Sequence, residues 1–364
     1  MRALHGAGRL LASICALTLA LAPVSVAHAG TPTETNTSVE QTLLTHGISA
    51  SQVQELRFYA GTVATFLRNG TIDDAQAQNL VSGLIAGFTN ANNEAHVPIE
   101  HLPMPNMTSR TSASSPATAS STTISPLTTT SNTRGCSSTG CGYFVLSTQS
   151  SSTHWNQATA YVTLPSMYIP SADVGNDYGY MMYGAVSSSA YSEDIGLRYT
   201  DGLANYTNGW HLFYCVQNST QTGDNCITHT FTVTISDPYE WITIDNNAVY
   251  LQVIDPSGWT VLDTITESDS YAGWGNTGSD QQIQQESTIA QYTKNWDDGS
   301  TLTDGGWDEA YLYYPSGGYE YYDLWTPTYT SDVWTCPQHV SVSMTSQYND
   351  YTPSVDLTST QTCS

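Results

Sequence analysis

From Cys136 to Ser364 the chain is built of short runs rich in Tyr, Val, Thr and Ile, cut by Gly, Asn, Asp and Pro. Within the runs apolar and polar residues alternate. A period of two sends successive side chains to opposite faces, so such runs fold as strands with one buried face. Ala160–Leu164, His229–Ile235, Ala248–Val253, Tyr311–Tyr314 and Val340–Met344 read this way. About a dozen such strands over some 230 residues predict an all-β two-sheet sandwich or jelly roll, with no helix between them.

The chain before Cys136 has a different pattern. Val53, Leu56, Tyr59, Val63, Phe66 and Leu67 recur at helical spacing after a cap expected at Ser51, and Asn69-Gly70 ends the run. Thr71-Ile72-Asp73-Asp74 reads as a capping box opening a second helix, with Val81, Leu84, Ile85 and Phe88 on one face. The pair is an α-helical hairpin with one apolar side, which must pack on the rest of the chain or on a partner. It could serve as a pro-segment or as a docking module. From about Val97 to Arg134 the composition turns to Ser, Thr and Pro with few large apolar residues, which is the pattern of a linker, a cleavable spacer or a glycosylated stalk.

At the start, Arg2 and Arg9 precede an apolar run from Leu10 to Val26, and Ala27-His28-Ala29 has the small-x-small form of a cleavage site. This reads as a secretory signal peptide rather than an anchor, because the apolar run is short and no basic stop residues follow it. The expected division is 1–29 signal peptide, 30–96 helical hairpin, 97–134 Ser/Thr/Pro linker and 135–364 β-sandwich. Loss of the signal leaves Cys136, Cys141, Cys215, Cys226, Cys336 and Cys363. An even set in an exported chain predicts disulfides, and sequence proximity favours 136–141, 215–226 and 336–363 among the possible pairings.

Charge excludes two classes of partner. The whole chain has 8 Lys+Arg against 32 Asp+Glu, for a net charge of −24. In the β region only Arg198 and Lys294 are basic, against 25 acids. Such a surface repels nucleic acid and anionic membranes, and few cations remain to repel one another once the carboxylates protonate in acid. The expected setting is extracellular and acidic.

Catalytic signatures are sparse: there is no GxSxG elbow, no HExxH and no phosphate loop. The acid pairs Glu193-Asp194, Asp297-Asp298 and Asp308-Glu309 are adjacent in sequence, and strand neighbours point to opposite faces, so adjacency argues against a shared site. Asp297-Asp298-Gly299-Ser300 with Asp304 nearby could ligate calcium, without matching the EF-hand spacing; no other cofactor or metal is indicated. Nine Trp and 24 Tyr against six Phe give aromatic faces with polar tips, which suit stacking on sugars. Trp210, Trp241, Trp259, Trp274 and Tyr239 are the candidate ligand platform, with a polysaccharide or cell-surface polymer as the partner.

Tyr161-Val162-Thr163-Leu164-Pro165-Ser166, Ile195-Gly196-Leu197-Arg198-Tyr199 and Ser287-Thr288-Ile289-Ala290-Gln291 resemble the YrpD-like family of secreted bacterial proteins. That resemblance implies a concanavalin-like jelly roll. Tyr239-Glu240-Trp241, Ile242 to Asp245 and the strand Val249 to Ile254 are similar to the glutamic peptidases, which share that fold and work in acid. The likeness implies a catalytic Gln–Glu pair on neighbouring strands, with Glu286 roughly where that glutamate is expected; if the chain is an enzyme, Glu286 and Glu240 are the candidate catalytic residues. The strand Asp194 to Tyr199 carries no glutamine where that pair requires one. Two functions are therefore expected of this chain. The first is non-catalytic binding of glycan or cell-wall polymer; the alternative is an acid-active hydrolase, a glutamic-type endopeptidase or a glycanase.

Overall fold

The computed structural model of the protein describes residues 36–56, 58–90, 102, 141–148, 155–186, 192–217, 225–245, 248–267, 282–292, 298–313, 319–321, 330–334, 339–344 and 351–358. The expected signal peptide, most of the Ser/Thr/Pro stretch, Trp274, Cys136, Cys336, Cys363 and the side chain of Cys141 lie outside these. No helix among the described residues is long and apolar enough to cross a membrane.

Four helices come first: α1 (Asn36–Thr45), α2 (Ala50–Leu56), α3 (Tyr59–Asn69) and α4 (Asp74–Asn90). The strands that follow begin with β1 (Cys141–Thr148), β2 (Gln157–Thr163), β3 (Ser166–Tyr168), β4 (Asp177–Val186), β5 (Ser192–Thr200) and β6 (Gly209–Gln217). Next are β7 (Asn225–Thr228), β8 (Tyr239–Asp245), β9 (Ala248–Asp255), β10 (Thr260–Glu267) and β11 (Gln282–Gln291). The last are β12 (Thr301–Thr303), β13 (Gly306–Tyr313), β14 (Tyr319–Tyr321), β15 (Thr330–Trp334), β16 (Val340–Met344) and β17 (Tyr351–Asp356).

The fold is an all-β jelly-roll sandwich preceded by short helices. One antiparallel sheet has seven strands in the order β15-β1-β11-β4-β5-β6-β7. The other runs β10-β9-β8-β2-β13-β17-β12-β3, with β14 on β13 and β16 on β17. Alternate residues meet between the sheets. Met181, Tyr183, Ile195, Leu197, Leu212 and Ile289 from the first sheet pack on Ala160, Ile242, Leu251, Val253, Trp307 and Leu312 from the second. Among the polar bonds that cross this core, Trp307 Nε1 donates to Ser287 Oγ (2.9 Å) and Tyr351 OH donates to Gln285 Oε1 (2.8 Å). They satisfy groups that would be costly to bury alone.

Three local expectations are corrected. Ser49, not Ser51, caps α2: its hydroxyl accepts from Gln52 N (3.3 Å) while its own N donates to Gln52 Oε1 (3.0 Å). Asp73 rather than Thr71 opens α4, in the same reciprocal form with Gln76 (2.8 and 2.9 Å). His229–Ile235 is not a strand. β7 stops at Thr228, and the segment after it touches β6 through His229 N to Leu212 O and Val233 N to Trp210 O. The side chain of His229 turns instead to Asp263 of the other sheet, Nδ1 to Oδ2 2.9 Å. Gly70 ends α3 as expected, at φ 71° with its N–H returned to Leu67 O.

The helices lie on the outer face of the second sheet. Tyr59, Val63, Phe66, Val81 and Leu84 share one buried cluster with Tyr239, Trp241, Ile254 and Trp259. α4 approaches β10 closely because Gly83 and Gly87 face it: a Cβ at Gly83 would lie 2.7 Å from Val261 Cγ2, and one at Gly87 2.5 Å from Thr264 Oγ1. Gly83→Val is therefore expected to destabilise the chain by about 1–3 kcal/mol through overpacking. Urea unfolding checks this, and an unchanged midpoint would show that the approach is loose. Cys215 and Cys226 are disulfide-bonded across β6 and β7, as their spacing predicts.

Candidate functional site

Where α3 meets β13, the helix module and the sheet leave a small half-open cleft of about 70 Å3. The sheet contributes Tyr161, Tyr239, Tyr311, Tyr313 and Glu309, and the helix side contributes Thr65, Phe66, Asn69 and Thr71. The tyrosines converge because β8, β2 and β13 are neighbours: Tyr161 is in register with Tyr239, and Gln157 with Tyr313. The rings of Tyr161 and Tyr239 meet nearly edge to face (4.9 Å, 70°), and those of Tyr311 and Tyr313 are tilted at 6.4 Å. Tyr239 and Tyr313 are buried, while Tyr161 and Tyr311 are half-buried and offer ring surface to the cleft.

Glu309 owes its place to a β-bulge. The β13–β2 register shifts between Asp308 and Tyr311, and Glu309 takes a left-handed backbone at φ 49°. The extra residue leaves Asp308 opposite Tyr161 and still sets Glu309 in the tyrosine cleft, so the two adjacent acids serve one face. A non-glycine residue in that conformation costs of order 1–3 kcal/mol and persists where its surroundings over-determine it, most often at functional sites. Burial, and then the charge of Glu309, push the Tyr161 hydroxyl above its ordinary range. Burial pushes that of Tyr239 well above its own, with smaller contributions led by Tyr313. The phenols are thus neutral hydrogen-bonding tips, and Glu309 supplies negative charge. Arg68 is at the helical edge, where Nη2 donates to Thr65 Oγ1 (3.3 Å).

Of the residues singled out in sequence, Tyr239 lines this cleft. Trp241 and Trp259 lie beside it beneath the helices, 0% and 2% exposed, packed on Phe66 at 5.6 and 5.4 Å. Trp210 lies in the sandwich core with Nε1 donating to Pro165 O (3.3 Å). Glu240 and Glu286 are in different layers. Glu240 shares the inward face of β8 with Ile242 and Ile244, between Ala160 and Val253, and burial pushes its carboxyl well up. Glu286 is on the outer face of the seven-stranded sheet, in register with Met182. That face also carries Tyr178, Tyr180, Phe213 and the disulfide, with Leu102 of the Ser/Thr/Pro stretch buried on it. Arg198 stands there under the rings of Tyr178 (5.4 Å) and Tyr206 (4.8 Å).

Two carboxyl groupings sit within the sandwich. Asp177 and Asp298 are bridged by Gln291 Nε2, which donates to Asp177 Oδ1 at 2.9 Å and also to Asp298 Oδ2. Ser300 Oγ donates to Asp177 Oδ2 (2.5 Å) and Asn176 Nδ2 to Oδ1 (2.7 Å). Burial and the neighbouring Asp298 push Asp177 up to about 7. Glu193 faces the core from β5, where burial and then Glu267 of β10 raise its carboxyl well above normal, while Asp194 takes the opposite face. Asp297, part of the expected calcium segment, is outside the described residues. Among those described, no group of three or more His, Cys, Asp or Glu is placed to hold a metal ion.

No family model and no curated relative matches the chain. Similar solved structures include a functionally unknown protein from Saccharomyces cerevisiae, 13% identical, covering 42% of this chain and 69% of that one (TM-score 0.23). A pseudo-β-1,3-glucanase and immunostimulatory antigen of Mycobacterium tuberculosis is 10% identical, over 41% of this chain and 64% of its own (TM-score 0.26). The endo-1,3-β-glucanase of Streptomyces sioyaensis is 10% identical, over 58% and 64% (TM-score 0.24).

Proposed function

We propose that this chain is a secreted glycan-binding β-sandwich protein, holding a sugar chain in the tyrosine cleft between α3 and β13. The observation that carries this reading is the convergence of four tyrosines and a bulge carboxylate on one half-open cleft. Aromatic rings take the apolar faces of sugars, and fixed polar groups at the edge set their orientation. Asn69, Thr65 and Thr71 supply an amide and two hydroxyls for that purpose. Binding without cleavage is the expected outcome, because the carboxyls of Glu240 and Glu286 occupy separate layers. Calorimetric titration with soluble oligosaccharides, beside pull-down on insoluble polysaccharides, tests the proposal. Tyr161→Ala and Tyr311→Ala should each weaken binding about tenfold, or about 1.4 kcal/mol. Retention on no member of a broad panel would end this reading.

A further inference from the structure

The cleft is small for a polymer site. At about 70 Å3 it has room for about five water-sized groups, whereas sites that enclose an extended ligand run to roughly 300–1,000 Å3. Its inner end is closed. Phe66 packs on Tyr239 (6.1 Å), Trp241 (5.6 Å) and Trp259 (5.4 Å), and so seals off the rings that lie beyond it. Trp155, Trp210, Trp241, Trp259 and Trp307 are each at most 5% exposed, so none of them extends the contact to a second sugar. The ring surface of the cleft therefore comes from the half-buried Tyr161 and Tyr311.

Polar groups gather at one edge. Asn69 and Thr71 are exposed where α3 ends, on either side of Gly70, whose left-handed backbone (φ 71°) turns the chain there. Thr65 is buried, and its hydroxyl donates to Gly61 O (2.9 Å), so toward a ligand it only accepts. One sugar ring uses all of this: an apolar face on a tyrosine, and hydroxyls on the amide and the two threonines. The next unit of the same chain lies outside the cleft.

We infer that the cleft recognises a single sugar unit entering edge-on, at a chain end or as a one-unit branch, and does not grip the middle of a chain. This rests on the glycan reading above and narrows it: the ligand class is the exposed terminal residue of a glycan.

The test is calorimetry with glucose and N-acetylglucosamine oligomers, each series running from monomer to hexamer. In the series that binds, affinity per chain should stay within about threefold from dimer to hexamer, whereas a groove with further subsites tightens about tenfold for each 1.4 kcal/mol they add. Asn69→Ala, a change at an exposed side chain, should weaken dimer and hexamer by the same factor, about fivefold for one lost hydrogen bond. A glucan with one-unit branches, measured before and after enzymatic trimming, separates the two sources. Binding lost on trimming assigns the branch, and binding kept assigns the chain end. Tightening of tenfold or more from dimer to hexamer would overturn the inference and leave the glycan reading standing. A loss in Asn69→Ala that fades as the oligomer lengthens would overturn it as well. No binding in either series, nor to the branched glucan, would remove both readings.

Discussion

The fold should become less stable, not more, as pH rises from about 4 to 8. The sign follows from carboxyls that the folded chain keeps protonated. Asp177 is pushed from an ordinary carboxyl value up to about 7, chiefly by burial and by Asp298 beside it. Burial raises Glu240, and burial with Glu267 raises Glu193. In the unfolded chain all three lose their protons near pH 4. Between there and the folded values the native state holds more protons than the unfolded one, so each unit of pH removes stability. The contribution is fully present below pH 4 and is lost by the time pH passes the folded values, near 7 for Asp177. After allowance for solvent screening at Asp177, its share is on the order of 2 kcal/mol. Thermal melts at pH 4, 6 and 8 read the effect, and a rising Tm across that range would refute it. Repulsion among the chain's 32 acids acts in the same direction. Glu240→Gln separates the two causes, since it removes one buried titration while changing net charge by a single unit. Its pH slope should be flatter than the wild type's, and at pH 8 it should be the more stable protein.

Most of the β-sandwich was legible because the two-residue period survives in its strands. Ala160 to Leu164 fell within or beside β2, Ala248 to Val253 within β9, and Val340 to Met344 on β16. The failure at His229–Ile235 comes from its alternation, which is that of a strand, although after Thr228 the segment meets β6 through His229 N to Leu212 O and Val233 N to Trp210 O without forming a continuous ladder. The cleft was harder to see. Tyr239 stood out as an aromatic beside a strand, but Tyr161, Tyr311 and Tyr313 become its partners only through the order β8-β2-β13. Glu309 was hidden by the rule that strand neighbours face opposite ways, which a bulge suspends. The only local trace of that bulge is two acids in a row inside an otherwise alternating strand. Trp241 and Trp259 were read as part of a ligand platform, and nothing local to them shows that a helix 170 or more residues earlier in the chain lies on top and buries them.

That covering helix makes Trp241→Ala the substitution with the largest expected effect on the site. The indole is fully buried, 4.8 Å from Tyr59 and 5.6 Å from Phe66, and its Nε1 donates to Gln157 Oε1 (3.1 Å). Gln157 also ties the same place to the helices, accepting from Thr62 Oγ1 of α3 (2.7 Å) and donating to Phe58 O just before it (3.0 Å). Truncating such a ring costs about 3–5 kcal/mol in lost contact and residual cavity. The loss falls on the helix–sheet boundary, so the helices should come free before the sandwich unfolds. Hydrogen exchange would show protection lost across α1–α4 while β4, β5 and β6 keep theirs. Oligosaccharide binding should disappear together with that protection, because Thr65 and Phe66 of α3 are walls of the cleft. Trp307→Ala is the matched control: an equally buried indole, but one whose Nε1 bonds Ser287 between the two sheets. It should lower the stability of the whole fold without releasing the helices separately. Full protection of α1–α4 in Trp241→Ala would mean that contacts such as α4 on β10 hold the module unaided. Preserved binding despite released helices would place the ligand on the sheet alone.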